Sequence, residues 1–397
     1  MTHDAPPPVY GSAVTKVEPF GVDHIPDSER HGKPSSQFFV WFAAGLNFPI
    51  ILLGFSAARF GLSFGAAVTA IVAGAGLGSV LMAVMSRMGV RLGVPQQIQA
   101  RGPLGFYGSG GTFGADPGAD GYVGATGGWV TFGGWFLSFL VAWVPFASDY
   151  SRYLPDTDHV VRRTAWYTGL GDFVTICWLG ILGVLVGSSS TSTDSITALH
   201  QLAGPFAVPA LIAIALSALA QNFLNVYGGA ISVQTLKVPV SRTQAVTIIC
   251  ALAYGISLWG ETGTEEKFKV FLNLTANFIA PFAAVVLLDY VLGGRADPAR
   301  IAELYDRNRI LDWGIVVWVA GVLASVPFWQ SSAFTGPFAA AYPGAGDLSM
   351  FVAAGTAVVL YLLTYRLKPL WTRTPGTGSP PDAHAAEREP AATGPTG

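Results

Sequence analysis

Nine apolar runs punctuate the chain, at 37–58, 64–86, 129–148, 164–187, 207–233, 243–260, 270–292, 312–330 and 348–366. Each approaches or exceeds the length that a helix needs to cross a hydrocarbon core about 30 Å thick. Lipid offers the backbone no hydrogen-bond partners, so helices that satisfy their own amides are the structures these runs predict. The expectation is an all-α polytopic membrane protein with nine transmembrane helices. A polar arm, 1–36, precedes the first run without a secretory signal, and a low-complexity tail, 367–397, follows the last.

Composition agrees. Charged residues make up 12% of the 397, against about 25% in soluble domains. The net charge of −2 and the lack of a basic stripe argue against nucleic acid as a partner and leave the lipid bilayer as the first one. Cys177 and Cys250 each sit inside an apolar run and read as buried small hydrophobes.

The distribution of Lys and Arg sets an orientation, because cytoplasmic loops are enriched in them. Lys16, Arg30 and Lys33 place the N-terminal arm in the cytoplasm of a cell-membrane protein. Arg87, Arg91 and Arg101 do the same for the second loop, and Arg152, Arg162 and Arg163 for the loop after 129–148. Loops 188–203 and 331–347 hold no Lys or Arg and read as external. The span 129–148 therefore has cytoplasmic signals at both ends. The intervening GFYGSGGTFGADPGADGYVGATGG (105–128) is too polar and Gly-rich to cross a bilayer. An odd number of spans is missing at this junction, which divides the first two helices (37–104) from the remaining seven (129–366).

Several stretches carry chemistry. Gly45, Asn47 and Pro49 interrupt the first span; Pro removes a backbone donor and Gly weakens a helix. Ser217, Gln221, Asn222 and Asn225 line one side of the fifth run, 217/221 and 221/225 as i,i+4 pairs and 222/225 as an i,i+3 pair. Such amides in hydrocarbon need partners. Phe139, Trp143 and Pro145 mark the third run, with Ser148 and Asp149 at its end suited to capping or to pairing with Arg152. Asp172 and Asp289 read as interfacial, Asn273 and Asn277 as structural, and no histidine has metal-ligand spacing.

The stretches VEPFGVDHIPDSERHGKP (17–34), WFAAGLN (41–47), WVPFASDYSRYLP (143–155), LAQNFLNVYGGAISVQTL (219–236), NFIAPFAAVVLLDY (277–290) and LDWGIVVWVAGVLASVPF (311–328) resemble the nucleobase:cation symporter family. That family comprises permeases for cytosine and purines, uracil, thiamine, allantoin and hydantoins. The resemblance implies a twelve-span fold built on a five-plus-five inverted repeat, here incomplete, with family spans three to five absent. It implies substrate contacts from Asn47, Phe139, Trp143 and Asn222 or Asn225. It also implies cation contacts from the Ala43 and Leu46 carbonyls, Ser217 and Gln221. The expected function is cation-coupled uptake of a nucleobase or related cyclic ureide. Sodium is favoured over a proton because no carboxylate stands out at mid-depth, and no other cofactor is implied. Without the third span's contacts, substrate binding is expected to be weak. The competing expectation is an internally deleted, non-transporting remnant or a membrane scaffold. Nothing in the residues supports an enzyme: there is no phosphate loop, metal motif or nucleophile–base pair.

Overall fold

The computed structural model describes residues 20–105, 125–192, 194–236, 241–260, 264–292, 301, 304–305, 311–330 and 334–365. Most of the N-terminal arm, the Gly-rich junction and the C-terminal tail lie outside them. Five described helices are long and apolar enough to cross a membrane, a bent pair adds a sixth, and three shorter apolar helices follow. The nine runs thus all become helices.

The first run is broken as its Gly, Asn and Pro demand. Helix α1 (Ser36–Gly45) stops and α2 (Phe48–Phe55) starts after Leu46 and an extended Asn47. Pro49 sits in the opening turn of α2, where its missing N–H costs nothing. The pair bends by 54°. Then come α3 (Phe64–Leu92), α4 (Gln96–Leu104), α5 (Ala125–Trp143) and α6 (Asp158–Ser189). They are followed by α7 (Ser195–Ala203), α8 (Ala207–Thr235), α9 (Arg242–Gly260) and α10 (Thr264–Leu292). The described chain closes with α11 (Trp313–Ser325), the short α12 (Pro337–Ala341) and α13 (Ser349–Thr364). The sequence did not foretell α4 or α7.

Glycines set the closest helix contacts and reveal the helix directions. Gly74, Gly78 and Gly89 of α3 abut Gly133, Leu140 and Ser148 in turn. The numbers rise together, so α3 and α5 run parallel. Gly169 and Gly180 of α6 abut Ser79 and Ile71 of α3, so α6 runs antiparallel to α3. At the foot of the bundle, the Asp312 amide donates to Leu104 O at 3.4 Å, joining the end of α4 to the start of α11. At the opposite end, Gly346 abuts Gly127 near the start of α5. Leu104 and Gly127 therefore lie at opposite ends of the bundle.

Helix α6 has the inside-out polarity of a membrane span. Trp166, Leu170, Val174, Trp178 and Leu185 are exposed along one side, while Thr164, Thr168, Asp172 and Thr175 are buried along the other. Polar side chains in hydrocarbon turn towards the bundle interior. Asp172 is 1% exposed and lies in the body of α6, away from both ends, which corrects its interfacial reading; Asp289, 2% exposed, is enclosed by protein three residues before the end of α10. Asp289 is held by the Tyr361 hydroxyl, which donates to Oδ1 at 2.7 Å. Cys250 is also corrected: it is exposed on α9, while Cys177 is partly buried.

Candidate functional site

The α1–α2 break puts a polar side chain deep in the bundle. Asn47 is 2% exposed, and its Nδ2 donates to Ala44 O at 2.9 Å. Its Oδ1 is buried and has no partner among the described residues. The neighbouring carbonyls are turned into the break: Ala43 O accepts from the Leu46 amide at 3.2 Å and Gly45 O from the Asn47 amide at 2.9 Å. A carbonyl has a second lone pair, so Ala43 retains the capacity to meet a cation. Gly45 lies against Thr175 of α6.

Phe139 and Trp143 are both buried on α5. Trp143 meets Trp41 of α1 edge to face, centroids 6.0 Å apart, and Trp41 meets Tyr150 likewise at 5.6 Å. The residues after α5 form a polar hub. Asp149 Oδ1 accepts from the Gln96 amide at 3.0 Å, so the carboxylate caps α4 and not its own helix. Ser148 Oγ bridges to Gln96 Oε1 at 2.7 Å and Met85 O at 3.0 Å. Tyr150 donates to Leu224 O at 3.0 Å, and Arg152 to the Tyr227 hydroxyl at 3.1 Å. From α4, Arg101 donates to Thr235 O. Burial pulls Arg101 down to about 10 and raises Tyr150. These bonds tie α3, α4, α5 and the end of α8 at the basic face. Beside them, Arg91 donates to Asp158 and also meets Asp156 at 2.8 Å.

On α8, Ser217 and Gln221 occupy a half-buried side, and Ser217 Oγ donates to Ile214 O at 2.7 Å. Asn222 and Asn225 are exposed. The packed side of α8 runs through Gly228, Ile231 and Thr235, rotated away from the two asparagines. The structure thus brings Asn47, Trp143 and Phe139 into one core, with Ser217 and Gln221 partly buried on α8. It leaves Asn222 and Asn225 outside that core.

A second polar recess went unread in the sequence. Thr131, Trp135 and Ser138 of α5 face Asn273 and Asn277 of α10, with Asp347 and Ser349 at the start of α13. Asn277 is 3% exposed and its Oδ1 has no partner among the described residues. The Lys269 ammonium lies 4.9 Å from the Trp135 ring centroid, a cation–π contact. The i,i+4 spacing of Asn273 and Asn277 was the available signal, but α5 was needed to turn it into a pocket. Among the described residues no group of His, Cys, Asp or Glu could hold a metal ion.

A helical bundle whose first helix is broken around a buried polar side chain is an arrangement that secondary transporters use. The sequence profile of the permeases for cytosine/purines, uracil, thiamine and allantoin matches residues 24–111 and 123–352. The chain belongs to this family; it is a multi-pass membrane transporter of a small molecule, not an enzyme. YxlA of Bacillus subtilis, named as a purine-cytosine permease, is 27% identical over 449 residues, covering 89% of this chain and 97% of the relative. The purine-cytosine permease fcyB of Emericella nidulans is 26% identical over 59% of this chain and 49% of its own. The fold is similar to Mhp1, a nucleobase-cation-symport-1 family transporter, in a closed conformation with bromovinylhydantoin bound. That match has a TM-score of 0.68 at 16% identity, over 90% of this chain and 98% of Mhp1. Against inward-facing Mhp1 the TM-score is 0.62, over 87% and 94%. The YxlA alignment is longer than this chain itself, so the relative carries residues without counterparts here, and the profile match is interrupted at 112–122.

Proposed function

We propose that the chain carries a nucleobase or a related cyclic ureide across the cell membrane together with a cation, from a site centred on the α1–α2 break. The free Oδ1 of buried Asn47 is the observation that carries this reading. It can accept from a ring N–H, and the Trp143–Trp41 pair nearby on α5 and α1 offers aromatic surface to a planar ligand. The Ala43 and Leu46 carbonyls, with Ser217 and Gln221, remain the candidate cation ligands. Asn222 and Asn225 would reach substrate only if α8 turned. Family membership favours this transporter reading, and nothing in the comparisons supports a non-transporting remnant.

The family's third to fifth spans would fall between Leu104 and Ala125, where 20 residues (105–124) cannot hold them. The parallel run of α3 and α5 and the interrupted profile support this placement. One wall of the site is then missing, and affinity is expected to be low. Uptake of labelled cytosine, hypoxanthine, uracil, allantoin and hydantoin into proteoliposomes, with sodium or acid gradients, tests the function. Asn47→Ala should raise the half-saturating concentration of the accepted substrate about tenfold, the worth of one hydrogen bond of roughly 1.4 kcal/mol. Unchanged saturation would remove Asn47 from the site.

On this reading the basic face, with the N-terminal arm, looks into the cytoplasm, as the Lys and Arg distribution favours. With Cys177 and Cys250 replaced by alanine, an impermeant maleimide on intact cells should label Ser188→Cys and spare His159→Cys until the cells are permeabilised. The opposite pattern would invert the orientation.

A further inference from the structure

Asp172 stands near the middle of the 32-residue α6, fully inside the bundle. Its flanks locate it. Gly171 abuts the Phe38 carbonyl and Phe42 amide of α1, while Gly169 and Phe173 touch α3 at Ser79 and Gly76. The carboxylate is therefore enclosed between α1 and α3, about one turn below Thr175 and the α1–α2 break. Its Oδ2 is buried without a hydrogen-bond partner among the described residues, as are Thr164 Oγ1, Thr168 Oγ1, Ser79 Oγ and Trp41 Nε1. Five unpartnered polar atoms on three packed helices are unusual, because each one left unpaired is costly.

Among the described residues no charged group compensates the carboxylate. Helices α1, α2 and α5 carry no titratable side chain at all. On α3, Arg87 and Arg91 lie towards the basic end, and Arg91 is taken by Asp156 and Asp158. The titratable groups of α6 itself are Asp158, His159, Arg162, Arg163 and Tyr167 on the basic side, with Cys177 beyond. At the opposite end stand Arg59, before α3, and His200 on α7. A carboxyl so enclosed and unpaired is tolerated only while it carries its own proton or a cation beside it. The close approach of Gly171 and Gly169 to their neighbours leaves the smaller of the two.

We propose that Asp172 is a proton-binding group that couples proton movement to substrate transport. One proton adds to the carboxylate when the interface of α6 with α1 and α3 is open to one side, and leaves when it opens to the other. The neutral carboxyl fits the closed bundle; the carboxylate needs water. Because α1 packs on Gly171 and runs directly into the break that holds Asn47, substrate at the break and proton at Asp172 bias the same interface. This rests on the transport reading above, and it supplies the mid-depth carboxylate whose apparent absence favoured sodium.

The test uses the full chain in proteoliposomes. Wild-type uptake should be driven by an inward acid gradient. Asp172→Asn, which resembles the protonated form, should lose that driven uptake but keep gradient-free substrate exchange, and Asp172→Glu should restore part of it. Acid-driven uptake unchanged in Asp172→Asn, or driven by sodium alone in wild type, would overturn the assignment. Infrared difference spectra between acid and alkaline buffer give a readout that needs no transport. A protonated-carboxyl band in wild type, missing in Asp172→Asn, is expected, and a spectrum identical in both would overturn the proposal. Absence of all uptake and exchange, with that band present, would instead count against the transport function alone.

Discussion

Gly183→Leu is expected to prevent assembly of the bundle, leaving no monodisperse protein in mild detergent. The side chain has nowhere to go. A Cβ at Gly183 would meet the Ile51 carbonyl and Gly54 of α2, and one at Gly54 would meet the Gly180 carbonyl of α6. These are backbone atoms of two mutually locked helices, which cannot swing aside as a flexible side chain can. Overpacking a protein interior typically costs about 1–3 kcal/mol even where side chains can shift, and here the helices themselves must separate. Between membrane helices, close packing is itself the main attraction, since lipid is as apolar as leucine. Separation also removes the support of the α1–α2 break, because Gly45 rests on Thr175 one face along the same helix. Gly355→Leu on α13, whose added Cβ meets nothing within 4 Å, should leave the elution profile and thermal unfolding unchanged. Equal loss in both variants would show that leucine insertion itself, not the α2–α6 contact, is at fault.

How far the site was legible can be traced to particular residues. The break at Leu46–Asn47 was readable because Gly, Asn and Pro act locally, within a few residues of where they stand. The membrane spans were readable because apolar length is a local property too. Asp172 was misplaced because the apolar run begins at residue 164, whereas Thr157 caps α6 seven residues earlier, accepting from the Val160 amide at 3.3 Å. Its enclosure depends on glycines of the same helix that admit α1 and α3, and nothing in the text near 172 names those partners. Asp289 depends on Tyr361, 72 residues away. The polar face of α8 was visible, but not which side of α8 would be packed; that is decided by Phe146 against Gly228. Helix α4, QQIQARGPL, reads as a loop, yet all nine of its residues are buried.

The burial of α4 makes Asp149→Ala the second large expected effect, a loss of about 3 kcal/mol in unfolding free energy. A buried helix start needs acceptors for its free N–H groups, and Pro95 before α4 has no side-chain acceptor to offer. Asp149 Oδ1 fills that role for the Gln96 amide from 53 residues away. Removing it strands a buried donor, at about 1–3 kcal/mol, and deletes a carboxylate at the positive end of a helix, at up to about 2 kcal/mol in buried settings. Asp149→Asn keeps an acceptor and drops the charge, so it should lose less than half as much. The damage should spread along α4 to its other anchor. Arg101, 2% exposed and bonded to Thr235 of α8, should become a trypsin site in Asp149→Ala and stay resistant in wild type. Thermal unfolding and limited trypsinolysis read the two consequences separately. A destabilised variant still resistant at Arg101 would mean that α4 is held by its apolar contacts and not by the cap. Resistance together with unchanged unfolding would mean that Ser148, bonded to Gln96 at 2.7 Å, is enough to hold the helix start without the carboxylate.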